Sequence, residues 1–290
     1  MFFASGLHVP EGPVALKDGS WLVVEMSPDT GCVTHVSTDG RSKRVLAKTG
    51  RPNGLAMDRQ GVIWVAESMP PGLLRMTMDG KWEVFLKECS GEPFLFPNDI
   101  AFGPDGMLYL TDSGITFKDF VPDGKIRSDW RTCKIDGRVY QVDTRTKRIR
   151  KLDSGIRFTN GIAFGPDGNL YVNETLTGNV YRYPWKDGQV IGGRELFGNV
   201  YDPAGPDVLK GPDGMKFGAD GNLYVTVFAQ GDVTVLGRDG KMVRRIKTHG
   251  AQPTNLAFGL PGDQRIYVTE DEMGSLEVYA VGCDGFPLYY

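Results

Sequence analysis

One pattern recurs six times along the 290-residue chain and limits the folds that the chain can adopt. Two copies are nearly identical, FPNDIAFGPDGMLYL at residues 96–110 and FTNGIAFGPDGNLYV at residues 158–172. The other copies lie at residues 9–23, 51–65, 211–225 and 252–268. Each copy begins with a polar residue, continues as a short apolar strand, turns at an Asp-Gly-like pair and returns as an alternating strand. Glycine adopts positive φ at little cost, so these pairs predict hairpin turns.

Further alternating segments follow the hairpin in most copies, for example GCVTHVST with KRVLAK and GDVTVLG with MVRRIK. Their alternation and their β-branched and aromatic residues indicate strands, which makes about four strands per copy. A repeated four-stranded antiparallel unit is typical of β-propellers. The sequence therefore predicts an all-β, six-bladed β-propeller with four antiparallel strands per blade, formed by a single domain over residues 1–290.

Two segments depart from the repeat. The ring of a propeller must close, and we predict that the N-terminal MFFASG supplies the outer strand of the last blade, with the C-terminal FPLYY as the alternative. Residues 113–136 interrupt the third copy after a strand. We predict that they form a long loop over one face, because long loops in compact domains often cover binding sites.

Composition and charge exclude several classes of function. The net charge is −3 and no basic stripe stands out, which disfavours nucleic-acid binding. No window approaches the roughly 18 apolar residues of a membrane helix, and the N-terminus lacks the features of a signal peptide. The four cysteines show no C-x-x-C spacing, so we expect reduced, packed thiols. We therefore predict a cytoplasmic protein, monomeric by default, without nucleic-acid or membrane partners.

The first strand of each blade lines the central channel of a propeller, so its first polar residue faces one mouth of that channel. The aligned residues are Glu11, Asn53, Asn98, Asn160, Asp213 and Asn255. All of them offer oxygen, and converging oxygen donors suit a hard cation such as Ca²⁺. A divalent ion would also relieve the repulsion between the two carboxylates. The alternative is that the asparagines only satisfy turn backbone.

A second register of acidic residues lies two positions beyond the alternating strand. It reads Glu25, Glu67, Asp112, Glu174, Val227 and Glu270. These acids either make the same mouth negative and attract cations or cap backbone amides between blades, and we favour the capping role. Asp112 is the exception, because it borders the 113–136 insertion, and we predict that it contacts the substrate.

Several motifs, in this order and spacing, resemble the gluconolactonase, senescence marker protein and luciferin-regenerating enzyme family of six-bladed propellers. They are EGP at residues 11–13, PND at 97–99, TNGIAF at 159–164, PDGMKF at 212–217 and the terminal GFPLYY. The resemblance implies one divalent metal at the channel mouth, held by Glu11, Asn160 and Asp213, with Asn98 contacting the substrate or a water at the metal. The oxygen-only ring favours Ca²⁺, with Zn²⁺, Mn²⁺ or Mg²⁺ as alternatives. Some members carry a substrate-binding arginine where this chain has Phe96, so the identity of the substrate stays open.

These residues predict a metal-dependent hydrolase that opens a sugar lactone to its aldonic acid. The metal is expected to polarise the lactone carbonyl, and Asp213 is the candidate general base for the attacking water. An organophosphate-hydrolysing propeller and a non-catalytic binding propeller are the alternatives.

The assignment of Asp213 depends on the register of a repeated string. GPDG at residues 103–106 and 165–168 lies between two strands and predicts a hairpin turn. The third GPDG is different, because residues 212–214 align with residues 159–161 at the start of a channel strand. The turn of that copy then falls at residues 219–221.

Overall fold

The computed structural model describes residues 1–27, 29–204 and 208–289, and almost all of the regular structure in them is β-strand. Six four-stranded antiparallel sheets follow one another along this part of the chain. The first strand of each sheet packs against the first strands of both neighbouring sheets, and this ring closes between the last sheet and the first. The fold is therefore the predicted six-bladed β-propeller with four strands per blade.

The strands run in chain order from the inner to the outer edge of each blade, except for the first strand of the chain. The chain begins with β1 (Phe2–Ser5), and blade 1 follows with β2 (Pro10–Ala15), β3 (Trp21–Glu25), β4 (Cys32–Val36) and β5 (Lys43–Lys48). Blade 2 contains β6 (Pro52–Met57), β7 (Ile63–Ser68), β8 (Pro71–Met76) and β9 (Trp82–Leu86), and a small hairpin of β10 (Glu88–Cys89) and β11 (Glu92–Pro93) comes after it. Blade 3 contains β12 (Pro97–Phe102), β13 (Leu108–Asp112), β14 (Gly137–Val142) and β15 (Ile149–Ile156). Between β13 and β14 lie the helix α1 (Phe117–Phe120) and a 3₁₀ turn (Pro122–Gly124).

The second half repeats the arrangement. Blade 4 contains β16 (Thr159–Phe164), β17 (Leu170–Glu174), β18 (Asn179–Tyr183) and β21 (Glu195–Asn199), and a small hairpin of β19 (Trp185–Lys186) and β20 (Gln189–Val190) lies between its last two strands in the sequence. Blade 5 contains β22 (Gly211–Phe217), β23 (Leu223–Phe228), β24 (Asp232–Leu236) and β25 (Met242–Lys247). Blade 6 contains β26 (Pro253–Phe258), β27 (Arg265–Glu270) and β28 (Ser275–Ala280). Neither helical segment in the described part of the chain is long and apolar enough to cross a membrane.

The N-terminal strand closes the ring, as predicted. Strand β1 pairs antiparallel with β28, with Ser5 opposite Ser275, and so becomes the outermost strand of blade 6. The C-terminal segment takes another path, and its Gly285 and Tyr289 make isolated bridges to Gly218 and Phe102. Because Phe102 ends a channel strand, this segment lies across the end of the channel opposite to the predicted metal site.

The hairpin turn of blade 5 confirms the register argument for the third GPDG. Asp220 accepts a hydrogen bond of 3.1 Å from the Tyr224 hydroxyl, and Asp105 and Asp167 form the same bond in blades 3 and 4. The turn aspartate of blade 5 is therefore Asp220, and Asp213 lies inside the channel strand β22.

Aromatic residues that recur at one register of the second strands pack between the blades. The Tyr109 ring of blade 3 meets Phe164 of blade 4 edge-on, with 4.8 Å between the ring centres. Where blade 6 meets blade 1, the ring centres of Tyr267 and Trp21 lie 4.2 Å apart. Such pairs stabilise an interface by more than the burial of their surface area alone. These aromatic residues of the second strands therefore hold neighbouring blades together.

Residues 113–136 form the predicted insertion between β13 and β14. Phe120 and Cys133 of the insertion pack with Phe96 and Phe158 in one hydrophobic cluster. Because Phe96 and Phe158 directly precede the channel strands of blades 3 and 4, the insertion lies beside the mouth of the channel at which those strands begin.

Candidate metal centre and active site

The same β-bulge opens all six channel strands. In blade 3, Pro97 pairs with Asp112 and Ile100 pairs with Leu110, so β12 contains one more residue than β13 between these pairs. The other five inner hairpins shift their register at the same place. A bulge bends its strand and re-aims a side chain, and bulges are frequent beside active sites. In each blade one residue of the channel strand pairs with the second sequence register (Glu25, Glu67, Asp112, Glu174, Val227 or Glu270), and the residue directly after it belongs to a set that we call the channel ring: Glu11, Asn53, Asn98, Asn160, Asp213 and Thr254. In blades 2 to 6 this residue is also the first of the bulge, whereas in blade 1 Glu11 pairs with Val24 and the bulge begins at Gly12.

The structure brings the predicted metal ligands together in this ring. The Asp213 carboxylate lies close enough to Glu11 for its charge to raise the pKa of Glu11, and the Asn160 side chain lies close enough to Asp213 to lower the pKa of that carboxyl. Glu11, Asn98 and Asn160 are almost completely buried, whereas Asp213 is half-buried. Asp213 is therefore the more accessible of the two ring carboxylates.

Several oxygens at this mouth are buried without a hydrogen-bond partner in the described part of the chain: Glu11 Oε2, Asn53 Oδ1, Asn98 Oδ1, Asp99 Oδ2 and Asn160 Oδ1. The amide nitrogens of Asn98 and Asn160 donate to Ser113 Oγ at 3.0 Å and Thr175 Oγ1 at 3.2 Å. Those bonds leave the amide oxygens free. Buried polar atoms nearly always have a partner, and carboxylate and amide oxygens are the ligands that Ca²⁺ prefers. The residues of the ring therefore fit a hard divalent cation.

The electrostatics of the ring favour a cation as well. Burial, followed by the charge of Asp99, raises the pKa of Glu11 well above its usual value, against a 2.7 Å hydrogen bond from Asn255 Nδ2. Burial also raises the pKa of Asp213, and the neighbouring Asn160 side chain opposes this shift. Buried carboxylates that repel one another ionise together more easily when a cation is present.

Carboxamide oxygens are an essential part of any such site. Among residues 1–27, 29–204 and 208–289, no three His, Cys, Asp or Glu side chains are arranged to hold a metal ion. The two ring carboxylates, Glu11 and Asp213, therefore need the amide oxygen of Asn160 or of another ring asparagine to complete a protein ligand set.

The comparison with protein families decides where the chain belongs. Residues 9–271 match the model of the SMP-30/Gluconolactonase/LRE-like region. The chain is a member of this family. Gluconolactonase of Zymomonas mobilis is 27% identical to this family member over 286 residues, which cover 92% of the chain and 77% of the relative.

Two solved structures share the propeller. A gluconolactonase from Xanthomonas campestris superposes with a TM-score of 0.78 at 23% identity, over 98% of this chain and 89% of that one. Regucalcin from Agrobacterium tumefaciens, described as a calcium-binding protein, superposes with a TM-score of 0.77 at 22% identity, over 98% and 94% of the two chains. At these identities the likeness establishes the fold.

Blade 6 of this family member differs from the predicted register. In this blade Pro253 pairs with Glu270 of the acidic register. The residue after Pro253 is Thr254, so Thr254 and not Asn255 occupies the channel ring. Asn255 lies one residue further on, where blade 3 has Asp99, and each side chain accepts a 2.8 Å hydrogen bond from the N–H of the next residue. Sequence reasoning missed Asp99 as a third channel carboxylate, although aligning PND with PTN shows both the position and the residue.

The structure corrects the predicted substrate contact of Asp112. Its carboxylate accepts hydrogen bonds from the backbone N–H groups of Leu95 at 2.7 Å, Phe96 at 3.1 Å and Gly114 at 2.9 Å. The side chain is completely buried, so Asp112 has the capping role that we favoured for the rest of its register. Equivalent backbone amides are bound by Glu25, Glu67, Glu174 and Glu270.

Two cations that no motif predicted also act on the channel. Lys216 Nζ lies 4.0 Å from Asp99 Oδ2. Arg51 directly precedes the channel strand of blade 2, and its guanidinium carbon is 3.9 Å from the ring centre of Phe117 in the insertion. The signal for both lies in the aligned copies, because no other blade has a basic residue at either register.

Proposed function

We propose that this protein is a divalent-cation-dependent hydrolase that opens a sugar lactone to its aldonic acid. The observation that carries the proposal is a set of oxygens that four blades contribute to one channel mouth, all of them buried and without a hydrogen-bond partner among the described residues. Membership of the family and the likeness to a gluconolactonase support the reaction type. A small-molecule substrate, a monomeric single domain and a cytoplasmic location belong to the same proposal.

Glu11, Asn160 and Asp213 are the proposed ligands of one cation. They supply two carboxylates and one amide oxygen, and all of these are hard donors. We favour Ca²⁺ because the set contains no nitrogen or sulfur, and because regucalcin shares the fold. Zn²⁺, Mn²⁺ and Mg²⁺ are the alternatives. When bound, the cation would act as a Lewis acid on the lactone carbonyl.

Asp213 is the proposed general base. It is half-buried at the mouth, and a carboxylate that the cation keeps ionised can accept a proton from the attacking water. The water oxygen bonds to the carbonyl carbon, the ring C–O bond breaks, and the ring oxygen leaves as a hydroxyl after taking up a proton. The product is the open-chain hydroxy acid.

Asn98 is the proposed substrate-orienting residue. Its amide nitrogen is held by Ser113 Oγ, and its amide oxygen is buried without a partner among the described residues. That oxygen can accept a hydrogen bond from a substrate hydroxyl. Ser113 begins the insertion, so the same contact connects Asn98 with the segment beside the mouth.

A pH-stat assay tests the proposal. Gluconolactone and xylonolactone should release acid faster than they hydrolyse spontaneously, and EDTA should remove this difference. Adding back Ca²⁺, Zn²⁺, Mn²⁺ or Mg²⁺ in parallel identifies the ion that restores activity. A folded protein that hydrolyses neither lactone with any of these ions would contradict the proposal, and paraoxon in the same assay tests the organophosphate alternative.

A further inference from the structure

Arg51 is buried at the channel mouth, and it forms no ion pair with any residue that the structure describes. The side chain is only 8% exposed. Within residues 1–27, 29–204 and 208–289 no carboxylate forms a salt bridge with it, and its Nε is buried without a hydrogen-bond partner. An unpaired buried charge is costly, and buried arginines are nearly always paired. The missing partner is therefore the feature that needs an explanation.

The position of the guanidinium is fixed from three sides. Its Nη1 donates a 3.0 Å hydrogen bond to Ser68 Oγ, and the Ser68 hydroxyl donates back to the Arg51 carbonyl at 2.7 Å. The guanidinium carbon lies 3.9 Å from the ring centre of Phe117 and 5.4 Å from that of Phe96. Aromatic rings at such distances attract the cation. Blade 2, blade 3 and the insertion thus hold Arg51 in one orientation.

The charge of Arg51 interacts with the carboxylates of the channel ring, although none of them forms an ion pair with it among the described residues. Burial lowers the pKa of the guanidinium to about 10, while the carboxylates of Glu67, Asp271, Glu11 and Asp213 oppose that shift. The group is therefore charged at neutral pH. It lies two residues before the ring residue Asn53, which places a cation beside the proposed catalytic centre.

We propose that Arg51 binds a pair of oxygens on the substrate and so selects lactones that carry polar substituents on the ring. The inference rests on the proposed lactone hydrolysis. A guanidinium presents its donors as a planar fork that matches two neighbouring oxygens. Two adjacent hydroxyls provide such a pair, and so does a carboxylate substituent. A lactone without substituents provides neither.

Two variants and one control test the inference. Arg51→Met removes the charge and the donors but keeps a stem that fills the space beside Phe117. Arg51→Lys keeps the charge and removes the fork. Arg75→Met is the control, because Arg75 lies in the same blade over the Phe85 ring and forms an ion pair with Glu83.

The substrates are gluconolactone with ring hydroxyls, glucarolactone with an added carboxylate, and δ-valerolactone without either. Arg51→Met should lower kcat/KM for the substituted lactones by about 10- to 100-fold, mainly through KM, because charged hydrogen bonds are lost. Arg51→Lys should fall in between, and δ-valerolactone should change less than about twofold. If kcat/KM falls more for gluconolactone, hydroxyls are the usual partner of Arg51, and if it falls more for glucarolactone, a carboxylate is. Equal losses for all three lactones, or no loss for any, would overturn the inference.

A binding measurement separates this inference from the proposed function. Millimolar gluconate should raise the Tm of the wild-type protein and of Arg75→Met, but not that of Arg51→Met. This readout needs no turnover, so Arg51 can be tested even if no lactone is hydrolysed. Gluconate that stabilises Arg51→Met as much as wild type, or that stabilises neither protein, would also overturn the inference.

Discussion

Asp213 is the residue on which both the proposed cation site and the proposed proton transfer depend. Replacing it with alanine removes one of two ring carboxylates and the proposed base. We expect Asp213→Ala to lower kcat/KM for gluconolactone by at least about 100-fold, the usual contribution of a positioned acid or base. The increase in Tm on adding Ca²⁺ should shrink as well. The pH-stat assay and thermal unfolding with and without Ca²⁺ check these outcomes.

Asp167 provides the matched control, because it stands in the same four letters but in a turn. Its carboxylate accepts a 2.8 Å hydrogen bond from the Tyr171 hydroxyl and another from the Asn169 backbone. Asp167→Ala should cost about 1–2 kcal/mol of stability through these bonds and leave kcat/KM within about twofold. Equal loss of activity in both folded variants would show that the register of Asp213 is misassigned.

The channel strands show, at the scale of the element, where sequence reasoning succeeds and where it fails. Their hairpins are local features, so apolar periodicity and turn glycines were sufficient to predict them. The bulge is different, because an extra residue breaks the alternation, and the pattern then does not tell which of two adjacent polar residues stands at the position of the channel ring. Asn255 was misplaced, and Asp99 was missed, for this reason.

The role of Asp112 and the position of Arg51 could not be predicted from the strand pattern either. The Leu95 and Phe96 amides that bind Asp112 lie in the segment before the channel strand. Arg51 is held by Phe117 of the insertion, which is far away in sequence. Both contacts depend on how loops fold back over the mouth, and nothing in a repeat of strands specifies that path.

Lys216 stands where the channel strands of the five other blades have alanine: Ala15, Ala56, Ala101, Ala163 and Ala257. Lys216 places a positive charge beside the channel carboxylates, with its Nζ 4.0 Å from Asp99 Oδ2, and so opposes the binding of a cation there. At an effective dielectric constant of about 20, a unit charge about 10 Å from a divalent ion is worth about 3 kcal/mol, or roughly 100-fold in affinity, and salt screening lowers this value. Lys216→Ala should therefore bind Ca²⁺ at least about tenfold more tightly.

Isothermal titration calorimetry measures this affinity directly. Lys247→Ala is the control, since it removes the same charge from the outer strand of the same blade, where Lys247 Nζ lies 3.6 Å from Asp232. Its Ca²⁺ affinity should equal that of wild type. Weaker binding in Lys216→Ala would mean that the ammonium supports the site instead of opposing a cation.

At the scale of the whole molecule, closure of the ring joins the two ends of the chain. Met1 O accepts a 2.9 Å hydrogen bond from the Val278 N–H, and Ala4 packs in one cluster with Trp21 and Leu276. The repeat predicted that one terminus must supply this strand, but both terminal segments are short and apolar. Only pairing between distant parts of the chain distinguishes them.

Two truncations test this closure. A variant without residues 1–5 exposes the edge of β28 and loses the cluster around Ala4, which should cost about 3 kcal/mol and lower Tm by roughly 5–10 °C. A variant without residues 285–290 loses the Phe286 N–H bond to the Phe217 carbonyl and the contact of Tyr289 with Phe164, but every blade keeps its four strands. Its Tm should fall by less than half as much. A larger loss from the C-terminal truncation would mean that the segment across the far end of the channel, and not strand β1, is the main closure of the ring.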